Sequence, residues 1–435
     1  MPSMKNQSSK KRPGKNQQSV AVIGAGVVGL CTAIELQRAG YKVTLFDKAD
    51  PAKEASFGNA CWIADDYFEP LATAKNINEA LVQWLTYKQA FAVMPEHILA
   101  FIPWAKRFLL AARRQNVDRI SLAKNRINIH ALDAWKDILG HAKASGLLVN
   151  SGCLKVWENK RDIAKTEKYQ AWMEQWGYSS QMLQGETLFE QEPVLSREIS
   201  HALYFPAACQ LADTYEVCLH LFDFFQQTGG TFKRSEVHQV QAQNNGVIIL
   251  TGSAKSEFDK AVIASGAWSK QLTKMLGLEI PLAAERGYHL TLPDAAKKPV
   301  HIIESKDRHV VLISVSSGFR ITGFAEYANL SSNPVEKRYH RLRKHLQALT
   351  EGVDINNQPV STWVGIRPTL PDSLPVIDLH PEHPQIGMVF GHNHLGVTQA
   401  AISAKIISKL LTGGQHSEIL KPFTDVLDDY SATRF

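Results

Sequence analysis

Cysteine is scarce in this chain: Cys31, Cys61, Cys153, Cys209 and Cys218 are five in 435 residues, with no CxxC pair and no even framework. That excludes a disulfide scaffold and fits a reducing cytoplasmic interior. Long hydrophobic runs are lacking too. No uncharged apolar stretch approaches about eighteen residues, so nothing is expected to span a bilayer. An excess of one charge sign is also missing from most of the chain. Of the net +6, five charges come from Lys5, Lys10, Lys11, Arg12 and Lys15 in the leader 1–18, which leaves the remainder close to neutral and speaks against a nucleic-acid surface. The leader has no apolar core and so is not a secretory signal. It reads as a disordered basic tail, with attraction to an anionic membrane or partner as the alternative. No internal repeat and no later low-complexity tract is present. The 44% hydrophobic and 21% charged composition is that of an ordinary globular chain, and the length suits two or three domains of about 150 residues.

What is present centres on residues 19–47. Val20, Val22 and Ile23 make a short apolar run suited to a buried parallel strand, and it stops at Gly24, Gly26 and Gly29 in the sequence GAGVVG. Gly24 suits a tight turn, Gly26 lets a pyrophosphate reach the backbone, and Gly29 lets a helix pack closely on the strand. That helix is expected over about 27–39, with Val27, Leu30, Cys31 and Ile34 facing the sheet and Gly40 closing it. Its first turn offers free N–H groups to phosphate. Val43, Leu45 and Phe46 then form a second strand ending at Asp47, whose carboxylate suits ribose hydroxyls. The strand, glycine turn, helix and acid together point to a dinucleotide. They do not separate NAD from FAD.

Further along, Ser56 to Ala60 (SFGNA) is a small-residue loop that brings the Ser56 hydroxyl and backbone close to a ring system or phosphate, or else a plain turn. Residues 79–129 turn helical and apolar. Ile98, Phe101, Ile102, Ala105, Phe108, Leu109 and Ala112 recur at helical spacing around Pro103, among Lys106, Arg107, Arg113 and Arg114. Trp84, Trp104 and these arginines suit peripheral contact with a membrane interface, and burial against the rest of the protein is the commoner fate of such a face. GCLKVWE reads as a strand, Asp213 as the cap of a helix ending at Gly229 and Gly230, and KAVIA as a second buried parallel strand that runs into Ser265, Gly266 and Trp268. From Glu285 onward GYHLTL, VHIIE, HVVLIS and GFRITGFAEY describe an antiparallel sheet. WVGIRPTLPDSLP reads as a rigid irregular segment. GMVF is then a strand and GHNHLGVTQA opens a helix, a second strand, glycine turn and helix N-terminus.

In this order, GAGVVG with Asp47, SFGNA, the aromatic helical segment, GCLKVWE, VIASGAWS, ERGYHL, GIRPTLPDSLPVI and GHNHLGVTQA resemble the FAD-dependent amino-acid oxidoreductase superfamily of D-amino acid oxidase, glycine oxidase and sarcosine oxidase. Within it the chain most resembles bacterial D-amino acid dehydrogenases (small-subunit group). The resemblance implies an α/β fold of the glutathione-reductase-like flavoprotein kind, DAO type. It would have a Rossmann-like FAD-binding domain over 19–75, 207–282 and 361–435 and an inserted antiparallel-sheet substrate domain over 76–206 and 283–360. It implies that Gly24, Ala25, Gly26, Val28, Gly29, Asp47 and Lys48 hold the adenosine diphosphate and that Ser56, Asn59 and Ala60 lie along the flavin. Val237 would meet the adenine, Gly266 and Trp268 would border the cofactor, and Gly391, His392, Leu395, Gly396 and Thr398 would approach the isoalloxazine. The residues support that last placement, because a helix N-terminus stabilises charge on a reduced flavin. The closing motif carries more histidines than usual, and Cys61 stands where dehydrogenases often carry glycine.

Arg367, in the family's GxRP pattern, is the expected anchor of a substrate carboxylate; a structural salt bridge is the other reading. Tyr288 is a further pocket candidate, with His289 behind it, and either residue could instead simply pack in its strand. His392 and His394 lack a third ligand, so no metal is expected. No cysteine follows Cys218, so FAD is expected to be non-covalent. The implied chemistry is oxidative deamination in amino-acid catabolism. A hydride passes from the Cα of a D-amino acid to flavin N5, and the imine hydrolyses to a 2-oxo acid and ammonia. Neither a Ser-His-Asp set nor paired carboxylates are needed for it. Alternatives are the same chemistry on cis-4-hydroxy-D-proline, sarcosine or glycine, an NAD-linked dehydrogenase, or a flavin-bearing electron-transfer scaffold. The electron acceptor, quinone or oxygen, and the oligomeric state stay open. Family membership suggests a respiratory quinone, and with it peripheral contact with the membrane's inner face.

Overall fold

The computed structural model describes residues 17–85, 91–252, 254–414 and 416–435. Most of the basic leader, and the side chain of Trp84, lie outside what is described. Two large sheets dominate. The first has six strands in the order Thr231–Arg234, Lys42–Asp47, Ser19–Ile23, Lys260–Ile263, Ile386–Phe390 and Val376–Leu379; all neighbours are parallel except the last pair. Its middle strands, SVAVI, KAVI and IGMVF, are buried almost throughout, as the near-continuous apolar runs require of a sheet covered on both faces. Helices Val27–Arg38, Thr214–Gln227 and Gly396–Leu411 pack together on one face, and their apolar stripes form a single core with Val20, Val22, Val262 and Val389. Asp213 caps the second of these helices by accepting a hydrogen bond from the Tyr215 N–H at 3.0 Å, as its position before the apolar run requires.

The second sheet has nine strands. Ser361–Thr369, Ala283–Leu292, Gly318–Tyr327, Val310–Val315, Ile302–Ser305, Cys153–Trp157, His201–Phe205 and Gln181–Gln184 follow one another, and Phe91–Val93 joins the end of Gly318–Tyr327. It is antiparallel apart from two parallel pairings, Ile302–Ser305 with Cys153–Trp157 and Phe91–Val93 with Gly318–Tyr327. Its far face packs against helix Glu336–Leu349 in a separate core.

Two expectations are corrected. The first half of WVGIRPTLPDSLP is not irregular: Ser361–Thr369 is an edge strand in register with Ala283–Leu292, where Pro368 can sit because an edge strand need not donate outward, and LPDSLP after it is turn and irregular chain as expected. Residues 361–369 therefore hydrogen-bond into the nine-stranded sheet rather than the six-stranded one with which they were expected to group. Helices Arg114–Asn128 and Ala131–His141, expected to group with the antiparallel sheet, pack against Gly396–Leu411 in a core that draws residues from both sheets. Trp135 is fully buried there, and its Nε1 donates to the Val397 carbonyl at 2.8 Å.

Candidate active site

Between the two sheets lies a cavity of about 1430 Å³, larger than the roughly 300–1,000 Å³ of ordinary small-molecule pockets. It runs from the glycine turn to the nine-stranded sheet. Gly24, Gly26, Val28, Asp47, Lys48, Ser56, Asn59, Ala60, Val237, Gly266, Trp268, Arg367, His392, Leu395 and Gly396 all line it.

At the glycine end, geometry follows from missing side chains. Gly24 adopts φ +108, and a Cβ there would lie 2.5 Å from the Ala264 carbonyl oxygen; a Cβ on Gly29 would lie 1.8 Å from the Gly24 oxygen. The helix can approach the strand this closely only without those atoms. Asp47 accepts from the Ala25 N–H at 2.7 Å and the Ala49 N–H at 3.0 Å, which leaves lone pairs on both oxygens for ribose hydroxyls. Ser56 Oγ accepts from the Val27 N–H at 2.9 Å, so its own hydrogen is free to donate. Helices Val27–Arg38 and Gly396–Leu411 carry no acidic residue in their first turns, and their N-cap residues supply no side-chain cap. Apart from the Val27 N–H, which donates to Ser56 Oγ, both N-termini thus remain open to phosphate or a ring carbonyl. Lys48 Nζ sits 3.7 Å from the centre of the Trp268 ring at the rim.

The SFGNA loop is held by its own amide. Asn59 Oδ1 accepts from the Cys61 N–H at 2.8 Å and from the Thr214 hydroxyl at 2.7 Å, and Asn59 Nδ2 donates to the Ser56 carbonyl. Cys61 has φ 53, a left-handed conformation that a glycine takes without strain. The Cys61 thiol is fully buried, which pushes its pKa up.

At the sheet end one carboxylate gathers the site. Glu285, with no exposed surface, accepts from Arg367 Nη1 at 2.8 Å, His394 Nε2 at 2.6 Å, the Thr369 hydroxyl at 3.0 Å and the Tyr327 hydroxyl at 3.2 Å. Burial pushes its pKa up, but the adjacent His394 and Arg367 outweigh this and bring it down to about 2. Arg367 Nη1 also donates to the Phe324 carbonyl at 2.8 Å. Phe324 has φ 67 and lies at a shift of register opposite Gly287, where a bulge re-aims the strand. A Cβ on Gly287 would strike Arg367 Nη2 at 2.2 Å, so the guanidinium lies across that glycine. One edge of Arg367 is thus fixed, while the side chain is 22% exposed and its remaining donors face the cavity. Arg367 is thus ion-paired and at the same time lines the cavity.

Several expected residues stand behind the wall. Ala25, Gly29, Gly391 and Thr398 do not line the cavity. Thr398 Oγ1 accepts from the Ala64 N–H at 3.0 Å and ties the helix start to the neighbouring segment; Gly391 shapes the turn, since a Cβ there would meet Leu370 at 2.3 Å. His392 lines the cavity but turns its Nε2 to Ser403 at 3.0 Å, and burial lowers its pKa to about 3. Tyr288 is a correction. It is fully buried on the opposite face of its strand, where its hydroxyl donates to Glu326 Oε1 at 2.7 Å and accepts from the Val335 N–H at 3.2 Å. Alternation along the strand puts Glu285, Gly287 and His289 on the cavity side instead. His289 stacks on Trp363 and pairs with the Gly58 carbonyl at 2.8 Å; burial, with Arg320 nearby, lowers its pKa to about 3. Glu285 was missed, although the same alternation in ERGYHL could have found it. Among the described residues no group of three metal-ligating side chains occurs.

Against known proteins, the family model described as FAD dependent oxidoreductase (DAO) matches residues 19–410. The chain belongs to that family. It is similar to a D-amino-acid oxidase from Bradyrhizobium diazoefficiens, 28% identical over 418 residues, covering 93% of this chain and 97% of the relative. It is also similar to a D-amino acid dehydrogenase from Vibrio vulnificus, 30% identical over 407 residues and covering 91% and 96% respectively. Among solved structures, glycine oxidase from Geobacillus kaustophilus superposes with a TM-score of 0.73 at 18% identity, over 96% of this chain and all of the other. The family is FAD-dependent, and the open helix N-termini, the bare Gly26 and the free Ser56 hydroxyl fit that group.

Proposed function

We propose that the chain is an FAD-dependent D-amino acid dehydrogenase or oxidase that converts D-amino acids to 2-oxo acids and ammonia. The observation that carries the reading is the half-held Arg367: Glu285 and Phe324 fix one nitrogen, and the free edge points into the cavity. A planar guanidinium held in this way suits a substrate carboxylate. The names of the two relatives support the D configuration and the amine.

FAD, when bound, supplies the two-electron acceptor for the substrate Cα–H. Gly24, Gly26, Asp47 and Ser56 would hold its adenosine diphosphate, and the first turn of Gly396–Leu411 its ring, without a covalent tether. Arg367 binds and orients the acid, and Glu285 keeps the guanidinium in place. His392, neutral and bonded to Ser403, steadies the start of the helix. No side-chain base is assigned, because a neutral amine needs none. We read 19–75, 207–282 and 370–435 as the cofactor-binding part, supported by the strands that the six-stranded sheet draws from these segments.

Anaerobic addition of D- and L-amino acids, glycine, sarcosine and hydroxyprolines to the purified flavoprotein tests the reading: D-amino acids should bleach the flavin fastest. Fastest bleaching by a secondary amine or glycine would favour the alternative substrates, and none by any of them a scaffold. Arg367→Met should lose at least about a hundredfold in kcat/KM, the worth of a charge-assisted bidentate contact.

The electron acceptor also involves helix Ile98–Ala111. Its inner face, Phe101, Trp104 and Phe108, lines the cavity, with Trp104 Nε1 donating to the Thr369 carbonyl at 3.2 Å. Its outer face exposes Ile98 (50%), Leu99 (83%) and Ile102 (55%) beside Lys106 and Arg107. Apolar and basic together, that face suits the interface of an anionic membrane, where a quinone would be the acceptor. No helix among the described residues is long and apolar enough to cross a membrane. Flotation with anionic vesicles should carry the protein upward, and Leu99→Asp should reduce the bound fraction severalfold; flotation insensitive to that change would count against this contact.

A further inference from the structure

The cavity does not end at Arg367. Its roof is the face of the nine-stranded sheet, where Thr322, Val311, Glu304 and Lys155 stand side by side on successive strands. The first three line the cavity, as do Trp62, Asp66, Tyr67 and Lys306. This far arm is built from charge. Lys155 Nζ, 1% exposed, lies 2.6 Å from Asp66 Oδ2 and 3.4 Å from Glu304 Oε2, Lys306 Nζ lies 2.8 Å from Glu304 Oε1, and the Tyr67 hydroxyl donates to Glu304. Asp66 and Glu304 are 8% and 6% exposed. Despite this burial, both oxygens of Asp66, Glu304 Oε2 and Trp62 Nε1 have no hydrogen-bond partner among the described residues, although Lys155 is in ion-pair range of two of them.

Lys155 is the donor within reach of Asp66 Oδ2 and Glu304 Oε2, which leaves Asp66 Oδ1 as the buried carboxylate oxygen with none; such an oxygen is costly and calls for a group that supplies hydrogen. Water can do so while the arm holds no ligand. An apolar side chain entering the arm would displace that water and give nothing back, whereas a donor would replace it. The charges set a second condition. Two carboxylates face two ammonium groups, so a further cation or anion would enter uncompensated.

We propose that this arm is the subsite for the substrate side chain, and that Asp66 and Glu304 select D-amino acids whose side chains end in an uncharged hydrogen-bond donor, such as a carboxamide, over apolar chains of the same shape. This rests on the D-amino acid reading above. Steady-state kcat/KM of the holoenzyme for D-asparagine against D-leucine, and for D-glutamine against D-methionine, tests it. The amides should be favoured at least about tenfold, a modest fraction of what sites built to bond a polar group achieve. Asp66→Asn and Glu304→Gln, both close in shape, should each lower the ratio at least about fivefold. The ratio is taken within one protein, so a partly folded variant still reports. Equal efficiency for amide and apolar partners, a ratio unchanged in both variants, or D-lysine or D-glutamate outrunning the amides would overturn the subsite while the reaction stands. Failure of every D-amino acid to bleach the flavin would instead end the reaction reading, and the subsite with it.

Discussion

The two ends of the cavity are built by opposite means. At the glycine turn, backbone meets backbone: the shape depends on atoms that are absent from Gly24, which presses on the Ala264 backbone of the neighbouring strand, and from Gly29, which presses on Gly24 itself. At the sheet end, side chains from two neighbouring strands and the turn before Gly396–Leu411 converge on one buried carboxylate, Glu285, across separations of 42 to 109 residues. The first end tolerates no added volume. The second tolerates no lost charge. The substitutions that damage each should therefore differ in kind.

The largest effect is expected from Gly29→Ala. A methyl 1.8 Å from the Gly24 oxygen cannot be accommodated by rotating a side chain, because both partners are backbone. The helix must move off the strand, at a cost of about 3 kcal/mol or more, the upper range for overpacking. The purified variant should be colourless and melt well below the parent. Stoichiometric FAD at an unchanged Tm would show that close packing does not shape this end.

Glu285→Gln should do the reverse, retaining FAD while kcat/KM falls roughly a hundredfold, as Arg367 and His394 lose the anion that positions them. If the loss is purely in FAD content, the two ends are not separable as described. The same carboxylate gives a pH prediction. The folded pKa of Glu285, about 2, lies below the ordinary 4.5, and that of Glu304 is lowered equally, chiefly by Lys306 and Lys155 acting against burial. A depressed pKa means that the folded state resists protonation. The contribution is complete above pH 4.5 and is lost as pH falls from 4.5 toward 2, roughly 3 kcal/mol for each group. Urea midpoints measured across that range should fall more shallowly for Glu285→Gln than for the parent.

This contrast also explains what could be read from the chain alone. GAGVVG with Asp47 was legible because it repeats a local strand, turn and helix pattern within one short stretch, even though the Ala264 backbone that Gly24 meets lies far along the chain. The capped helix at Asp213 and the second glycine turn at Gly391 were legible for the same cause. Arg367 could be singled out by residue type, but its partner could not: Glu285 lies 82 residues away in sequence, and only the register of Ala283–Leu292 against Ser361–Thr369 brings them opposite. The run of prolines around Arg367 pointed to irregular chain, but an edge strand accommodates Pro368, and only Pro371 and Pro375 fall in irregular chain. Period-two alternation held the answer for Tyr288, since it cannot share a strand face with Glu285.

Tyr288→Phe gives the smallest expected effect and sharpens the contrast most. If Tyr288 belonged to the substrate end, losing its hydroxyl would reduce kcat/KM. Its surroundings place it in the core behind the sheet. Burial, then the Glu326 acceptor, push its phenol pKa up, so it stays neutral and only donates. In the phenylalanine variant Glu326 keeps Arg286 and Arg338, and the Val335 N–H alone loses its acceptor. That should cost about 1 kcal/mol of stability, the ordinary worth of a neutral hydrogen bond, with kcat/KM inside a factor of two. A drop of tenfold or more at unchanged Tm would move Tyr288 back into the site, and would mean that the sheet transmits side-chain changes on its far face to the guanidinium on its near one.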